Sequence, residues 1–383
     1  MSKKSALIIT MHKVKNFGSA LQAWALQESI LKMGLDVKMI DYLYPNQYYF
    51  SHVPEAPVVR RSILKKIRLS KLLGYIKKNY LYKHKQQTAL FQRFWEKHFL
   101  LTKPYTSPDE LQAHPPKVDF YITGSDQVWN PNTMYGDPSF FLDFGSKETP
   151  RIAYAASFGT NVIPEEYKDI YTKYLGTYNH LGIREKTGVE LVKSLTGKSS
   201  SLVCDPTILL TKEDYKVLAD DSTIHINRPY LLAYILDYAY NPRPAIDSII
   251  EEVSKKLGLH IVYLLCGNTN GYKLGSTTFS GAGPNEFVSL FRNASFVVTS
   301  SFHGTVFSLI HEKPFYAVLP AEKADSRIAS LLSAVGLLDR GIKANEKVFL
   351  ANKEEMSIDY DKATPALNEL RNCSLHYLES SLI

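Results

Sequence analysis

One short stretch constrains the fold more than any other part of the sequence. It spans Phe296–Val318 and reads FVVTSSFHGTVFSLIHEKPFYAV. Its first four residues are apolar or β-branched, as in a buried strand, and Ser300 or Ser301 then provides an N-cap for a helix. Pro314 ends this helix, because the residue before a proline avoids the helical conformation, and a second apolar run follows. The stretch therefore predicts a β-α-β unit with parallel strands.

His303 lies where this predicted helix starts, at the carboxyl edge of the sheet, where open α/β folds bind ligands. The unpaired N–H groups and the positive dipole end of a helix start favour phosphate or carboxylate. An imidazole beside such an anion site suggests acid–base chemistry on a phosphorylated or carboxylated substrate. The alternative is a histidine that only bonds the backbone.

Length and composition indicate two globular domains. The 383 residues exceed what one hydrophobic core usually supports, and 45% hydrophobic with 22% charged residues is an ordinary balance. Cys204, Cys266 and Cys373 are far apart, so they indicate neither a disulfide framework nor a zinc site and suit a reducing compartment. The N-terminal apolar run is too short for a signal peptide, and no stretch has the length of a transmembrane helix. We therefore expect a cytoplasmic protein with no bound metal.

Positive charge is concentrated in one region. No acidic residue lies between Glu55 and Glu96, whereas many lysines and arginines do, with apolar residues at roughly helical spacing. This predicts a basic amphipathic insertion at about 58–95, which either rests on an anionic membrane surface or is a solvated helix packed over its domain. Because no nucleic-acid-binding motif accompanies the charge, we expect no nucleic-acid partner.

Strand patterns alternate with helix patterns in both halves of the chain. The alternation predicts an α/β protein with two doubly wound parallel sheets, in an N-terminal domain at 1–204 and a C-terminal domain at 205–360. The boundary is placed at Asp205-Pro206, because the pattern starts again beyond it. A final helix within 361–383 is expected to cross back to the first domain.

Polar residues follow two of the predicted strands of the first domain. Asn16 and Gly18 lie in a loop where backbone can approach a ligand, but this loop is neither a GxGxxG nor a P-loop and indicates no nucleotide site. Ser125 and Asp126 lie in GSDQVWN, directly after another strand. Asp126 is placed to orient or deprotonate a hydroxyl; an Asx turn that holds the loop is the alternative.

Arg184 ends a further strand of this domain. A guanidinium there suits bidentate binding of an oxyanion, and Glu185 is a candidate ion-pair partner for it. In the second domain, Arg327 begins another predicted helix and is a second candidate anion ligand.

Five motifs occur along nearly the whole chain. They are NFGS with LQA at 16–23, GSDQVWN at 124–130, GIRE at 182–185, DPT at 205–207 and SFHG at 301–304. In this order they resemble the polysaccharide pyruvyl transferase family. The resemblance implies a GT-B-like fold, with two Rossmann-like domains facing each other across a cleft.

The resemblance also implies a reaction. The enolpyruvyl group of phosphoenolpyruvate would move onto a sugar of a cell-envelope or capsular saccharide, giving a pyruvate ketal and releasing phosphate. Such acceptors are often lipid-linked, so the protein would act at the inner face of the cytoplasmic membrane, with the basic insertion making peripheral contact. Phosphoenolpyruvate is then a co-substrate, and no cofactor or metal is implied.

The resemblance assigns donor binding and catalysis to Arg184 and His303. Many members carry Arg or Lys shortly before this histidine, whereas Phe302 precedes it here, so the donor's charge would be neutralised by Arg184 and Arg327. The expected catalytic residues are His303, Arg184 and Asp126; the donor-binding residues are Arg184, Ser300, Ser301, Gly304 and Arg327; the acceptor-binding residues are Asn16, Gly18, Ser125, Asp126 and Trp129.

The chemistry of phosphoenolpyruvate agrees with these assignments. Addition of a hydroxyl to its C2 requires a proton for the methylene carbon, a base for the hydroxyl and cations for phosphate and carboxylate. His303 would move the proton, Arg184 would hold the donor, and Asp126 or Asn16 would align the two acceptor hydroxyls.

Two other functions stay open. The first is a GT-B glycosyltransferase with a nucleotide-sugar donor, because Glu312 before Lys313-Pro314 resembles a ribose-binding glutamate. The helix starts with a histidine instead of a glycine-rich loop that would bind a diphosphate. This argues against a glycosyltransferase. The second is a non-catalytic member of the family that only binds a saccharide.

Overall fold

The computed structural model describes residues 3–42, 85–237, 240–265, 275–321, 327–346 and 356–383. Most of the basic insertion predicted at about 58–95 lies outside these ranges, and its described end, 85–98, is helical. The described residues form two parallel β-sheets with helices packed on them.

The first sheet has seven strands. They are Ser5–Ile9 (β1), Asp36–Tyr42 (β2), Leu101–Tyr105 (β3), Phe120–Thr123 (β4), Arg151–Ala156 (β5), His180–Ile183 (β6) and Ser201–Leu202 (β7). All neighbours pair in parallel, in the order β3-β2-β1-β4-β5-β6-β7. The direction of winding therefore reverses between β1 and β4, which makes their carboxyl ends the place where such a sheet binds ligands.

Helices cover both faces of this sheet. They are Phe17–Lys32 (α1), 85–98 (α2), Pro108–Ala113 (α3), Pro131–Met134 (α4), Glu165–Leu175 (α5) and Lys186–Thr196 (α6), with a 3₁₀ turn at Pro138–Phe141. Helix α1 begins at an Asn16 N-cap, whose side chain accepts a hydrogen bond from Ser19 N–H, and it is buried over most of its surface.

The second sheet repeats the same winding with six strands. They are Tyr230–Ile235 (β8), His260–Leu265 (β9), Thr277–Phe279 (β10), Phe296–Thr299 (β11), Phe315–Leu319 (β12) and Gly341–Lys343 (β13). Their order is β10-β9-β8-β11-β12-β13, again all parallel, so the reversal falls between β8 and β11. The predicted α/β class with two doubly wound parallel sheets is confirmed.

The remaining helices lie between the sheets and around the second one. They are Pro206–Leu209 (α7), Lys216–Asp220 (α8), Ala245–Leu257 (α9), Pro284–Asn293 (α10), Phe302–Ile310 (α11), Arg327–Ala334 (α12) and Tyr360–Ser381 (α13), with a 3₁₀ turn at Leu338–Arg340. Helix α7 packs on α1 and on α13, whereas α8 packs on α10. The predicted domain boundary between residues 204 and 205 stays a prediction. The short helices α7 and α8 connect the two sheets there.

One aromatic core holds the two halves together. The ring of Phe17 at the start of α1 stacks with Phe91 at 5.5 Å and with Phe287 of the second half at 5.0 Å between centroids. Trp24 of α1 lies 5.5 Å from Tyr215 in the same continuous cluster of buried residues. This packing fixes the start of α1 opposite the carboxyl edge of the second sheet.

Helix α13 contacts both halves of the chain. The hydroxyl of Tyr360, at the beginning of the helix, donates to the carbonyls of Ser308 and Lys313. The hydroxyl of Tyr377, near its end, donates to the carbonyl of Ala153 in β5 at 3.0 Å.

Among the helices that the structure describes, none combines the length and the apolar character needed to cross a membrane.

Candidate active site

The start of helix α11 is built tightly onto strand β11. Ser301 is the N-cap, and its hydroxyl accepts a hydrogen bond from Gly304 N–H at 3.3 Å. A Cβ at Gly304 would lie 2.3 Å from Thr299 Oγ1, so no side chain fits between helix and strand. Of the two serines suggested by the sequence, Ser301 caps the helix, and Gly304 lets the helix start close to the sheet.

The hydroxyl of Ser300 is already used by the backbone. It accepts from Leu236 N–H and donates to the Leu236 carbonyl, both at 2.8 Å. Ser300 therefore ties β11 to the end of β8, and its predicted role in donor binding stays a prediction.

The side chain of Trp129 is likewise held by contacts within the protein. Its side chain is fully buried, its indole N–H donates to the Phe140 carbonyl at 3.0 Å, and its ring stacks on Phe141. Trp129 is a core residue in this structure, and acceptor binding by it stays a prediction that this burial does not support. The sequence motif marks it because the loop after β4 needs a large apolar anchor.

Arg184 directly follows strand β6 and lies at the centre of a buried polar group. Its Nη1 donates to Asp205 Oδ2 at 2.9 Å and to Ser125 Oγ at 3.4 Å. Its Nη2 lies 3.7 Å from Asp126 Oδ1, and its Nε lies 3.9 Å from Glu185 Oε2. Nε and Nη2 are both buried without a hydrogen-bond partner. One edge of the guanidinium is thus hydrogen-bonded to Asp205, and the other faces the carboxylates of Asp126 and Glu185 at ion-pair distance without a hydrogen bond.

His303 enters the same group from the second half of the chain. Its Nε2 lies 3.6 Å from Asp205 Oδ2, and its side chain is 12% exposed. On the other side of the ring, a Cβ at Gly18 would lie 2.0 Å from His303 Nδ1. The imidazole therefore packs directly on the first turn of α1, and Asp205 lies between Arg184 and His303. We call Asp126, Arg184, Glu185, Asp205 and His303 the Arg184 cluster.

Asp126 connects this cluster to the start of α1. Its Oδ2 accepts from Ser19 Oγ at 2.5 Å, and its Oδ1 accepts from Gln127 N–H at 2.9 Å. Its backbone has φ of 72°, a left-handed conformation that aspartate tolerates better than most residues. Asp126 thus holds its own loop and also faces Arg184.

Burial and charge act in opposite directions on these groups. Burial alone would raise the pKa of Asp205, but His303 and Arg184 hold that pKa far below its usual value. Burial likewise opposes ionisation of Asp126, yet Arg184 and His303 lower its pKa. The pKa of Arg184 is raised, because Asp205, Asp126 and Glu185 outweigh the effect of its burial. At neutral pH both aspartates are therefore carboxylates, beside a charged guanidinium.

Phe302 brings a second arginine to the cluster. Its ring centroid lies 5.6 Å from Arg184 Cζ and 5.7 Å from Arg327 Cζ, within range for cation–π contact. Arg327 also helps to lower the pKa of Asp126, so its charge reaches the cluster. By contrast, Glu312 follows the other end of α11 and pairs with Lys212 at 2.7 Å.

Sequence reasoning missed two members of this arrangement. Asp205 was noted only as a domain boundary within the DPT motif, and Ser19 only as part of NFGS. The signal available for Asp205 was its place directly after a strand, the same signal that marked Asp126 and Arg184.

Within the described ranges, no three His, Cys, Asp or Glu side chains are grouped to hold a metal ion; the carboxylates face Arg184 instead.

Comparison with solved structures shows the fold. A 2.2 Å crystal structure of a putative UDP-N-acetylglucosamine 2-epimerase from Listeria monocytogenes matches with a TM-score of 0.50 at 11% identity, over 99% of this chain and 91% of that one. UDP-GlcNAc 2-epimerase from Methanocaldococcus jannaschii, in complex with UDP-GlcNAc and UDP, matches with a TM-score of 0.46 at 10% identity, over 97% and 93%. Arabidopsis thaliana UGT89C1 complexed with UDP-L-rhamnose matches with a TM-score of 0.46 at 12% identity, over 100% of both chains.

The Listeria monocytogenes structure, together with the two doubly wound sheets, confirms the GT-B-like fold with two Rossmann-like domains. At such low identity these neighbours carry nothing about substrate. A search of curated proteins finds no match. The model of the family described as polysaccharide pyruvyl transferase matches residues 16–321, a range that contains the whole Arg184 cluster. The chain therefore belongs to the polysaccharide pyruvyl transferase family and is a transferase.

Proposed function

We propose that this protein transfers the enolpyruvyl group of phosphoenolpyruvate to a hydroxyl pair of a cell-envelope or capsular saccharide, forming a pyruvate ketal. The observation that supports it most is the meeting of Arg184 and His303, from different halves of the chain, on one carboxylate oxygen of Asp205. An anion-binding group and a proton-transfer group are thereby adjacent, as the chemistry of an enol phosphate requires.

Donor binding falls to the cations and the helix start. Nε and Nη2 of Arg184 lie along one edge of the guanidinium, and this fork matches a carboxylate or a phosphate. Arg327, whose Cζ lies 5.7 Å from the Phe302 ring centroid, supplies a second cation. The first N–H groups of α11 add a positive dipole end.

The reaction then balances as two additions and one elimination. His303 gives a proton to C3 of phosphoenolpyruvate while the first acceptor hydroxyl adds to C2 and loses its proton. Phosphate leaves from C2, and the second hydroxyl of the acceptor adds there and loses its own proton. The products are a cyclic ketal that carries a methyl and a carboxylate, and inorganic phosphate.

Asp126 is the side chain best placed to receive a proton from an acceptor hydroxyl. Its carboxylate is ionised at neutral pH and faces the start of α1, beside Asn16 and Ser19. These residues lie at the ligand-binding edge of the first sheet, whereas His303 lies at that of the second. On this proposal the acceptor lies against the first domain and the donor against the second, with Arg184 reaching the donor from the first.

The test is phosphate release from phosphoenolpyruvate in the presence of saccharide acceptors. The His303→Ala variant should release phosphate at least about 100-fold more slowly than the wild type, the usual scale for loss of a general acid. Near-normal turnover by this variant would remove His303 from the mechanism.

We further propose that the acceptor is lipid-linked and that the protein meets it at the inner face of the cytoplasmic membrane. The support is the basic insertion at about 58–95, whose charge would attract it to an anionic surface. Replacing Lys65, Lys66, Arg68 and Lys71 together by glutamine should reduce sedimentation with anionic liposomes. Equal sedimentation would favour a solvated helix.

A further inference from the structure

Asp205 lies where the chain passes from the first sheet to the second half. It is more buried than the residues of the Arg184 cluster that it contacts. It follows the last strand of the first sheet, β7, and caps the short helix α7. Its side chain is completely buried. A buried carboxylate is costly unless it is paired and fully hydrogen-bonded, so its surroundings define what it does.

The two oxygens of this carboxylate have separate partners. Oδ1 accepts from Thr207 N–H at 3.1 Å and from Thr207 Oγ1 at 2.7 Å, which anchors the group to its own turn. Oδ2 faces Arg184 Nη1 at 2.9 Å, Ser125 Oγ at 3.5 Å and His303 Nε2 at 3.6 Å. One oxygen is therefore structural, and the other touches both residues assigned to the donor.

The contact with Asp205 determines which edge of the Arg184 guanidinium can face a ligand. Because Nη1 is held by Asp205, the remaining Nε and Nη2 are presented together, buried and without a hydrogen bond, opposite Asp126 and Glu185 at 3.7 and 3.9 Å. The contact with Asp205 also determines which ring nitrogen of His303 carries the hydrogen. A carboxylate oxygen accepts only from N–H, so it favours the ring with a hydrogen on Nε2. Nδ1 is the nitrogen turned toward Gly18 and the first turn of α1.

We propose that Asp205 is a positioning residue that keeps the hydrogen of His303 on Nε2 and so makes Nδ1 the nitrogen that exchanges a proton with substrate. This rests on the proposed function only for the identity of the substrate. In the transfer, the Nδ1 hydrogen of the imidazolium goes to C3 of phosphoenolpyruvate, and the neutral ring that remains carries its hydrogen on Nε2, against Asp205. At 3.6 Å the two atoms do not form a hydrogen bond in the free protein, and catalytic contacts often tighten only in the complex with substrate.

The decisive variant is Asp205→Asn. Because the Thr207 donors hold the amide oxygen at the Oδ1 position, the amide NH₂ replaces Oδ2 and points donors at Nε2 of His303. The ring should then move its hydrogen to Nδ1. The matched control is Thr207→Val, which removes one anchor of Oδ1 and leaves Oδ2 chemically unchanged.

The first measurement uses the free protein, with nitrogen-15-labelled histidine and long-range nitrogen–proton NMR spectra, the His303 signals being assigned by His303→Gln. We expect Nε2 to be protonated in the wild type and in Thr207→Val, and bare in Asp205→Asn. A bare Nε2 in the wild type, or identical His303 signals in wild type and Asp205→Asn, would overturn the proposal. The wild-type spectrum decides even if the variant does not fold, and it needs no turnover, so it also decides if phosphoenolpyruvate is not the substrate.

The second measurement separates positioning from stability. In Asp205→Asn, kcat for phosphate release should fall by about 100-fold or more, because an amide NH₂ facing Nε2 disfavours the doubly protonated ring that gives its Nδ1 hydrogen to the substrate. KM for phosphoenolpyruvate should change much less than kcat, because loss of the Arg184 contact weakens donor binding whereas removal of a negative charge favours an anionic donor. Thr207→Val should lower Tm and leave kcat within a few-fold. A raised KM with little change in kcat in Asp205→Asn would contradict a role through His303.

Discussion

Gly18→Ala is the substitution that tests the meeting of the two halves most sharply. The added Cβ would lie 2.0 Å from Nδ1, 2.4 Å from Cε1 and 2.5 Å from Cγ of His303. Ordinary contacts between such atoms begin near 3.5 Å, so the ring must retreat by roughly 1.5 Å. That movement would carry it away from the position it takes beside Asp205.

The expected magnitudes follow from two opposing effects. Gly18 lies in helix α1, where alanine is favoured over glycine by up to about 1 kcal/mol. Overpacking of a buried contact costs about 1–3 kcal/mol, so the net change should be a loss of stability of about 0–2 kcal/mol. Activity should fall by about 100-fold, the scale for a reacting group displaced by roughly 1 Å.

A double-mutant cycle with His303→Ala isolates the contact. Once the imidazole is removed, Gly18→Ala has nothing to strike and should stabilise the protein by up to about 1 kcal/mol. The assay is chemical denaturation of the four proteins, together with phosphate release by the two that retain His303. If Gly18→Ala stabilises the His303 protein as much as the His303→Ala protein, the ring does not rest on α1 and the reasoning is refuted.

Three further predictions concern the donor and the pH dependence. Arg184→Lys should raise KM for phosphoenolpyruvate more than it lowers kcat, because lysine lacks the bidentate fork; an unchanged KM would make Arg184 purely structural. Phosphoenolpyruvate should raise Tm whereas UDP should not, because a ligand that binds only the native state stabilises it; the reverse would favour a nucleotide-sugar enzyme. Burial lowers the pKa of His311 to about 3, so the unfolded chain takes up a proton first as pH falls below about 6.5 and stability is progressively lost. Between pH 6.5 and 5 the loss should be about 2 kcal/mol in denaturant titrations, and His311→Gln should abolish it; an unchanged slope would show that His311 is not held neutral.

The regular elements that flank the site were predictable because they carry strong local signals. The strand at Phe296–Thr299 and the helix after it were expected from one β-branched run, one serine cap and one proline, and the structure has them there. The edge strands β3, β10 and β13 were not predicted. They are short and polar, and each pairs with one neighbour only, so no buried pattern marks them.

The sequence indicated most of the charged residues that belong to the site, but it did not indicate which residues they contact. Arg184, Asp126 and His303 stood out because each follows a strand or starts a helix, and the structure brings them together. The roles of Ser300 and Trp129 were not predictable, because whether a hydroxyl or a ring is committed to the core depends on contacts distant in sequence, with Leu236 and Phe140. Asp205 was missed for the same reason: its partners come from both halves of the chain.

The most direct test of the central claim is the mass spectrum of a saccharide acceptor after incubation with phosphoenolpyruvate in heavy water. If His303 delivers a solvent-derived proton to C3, the acceptor should gain the mass of pyruvate less water, with one deuterium in the new methyl group, and His303→Ala should give almost none of this product. An acceptor that stays unmodified with phosphoenolpyruvate, or a ketal without deuterium, would contradict the account.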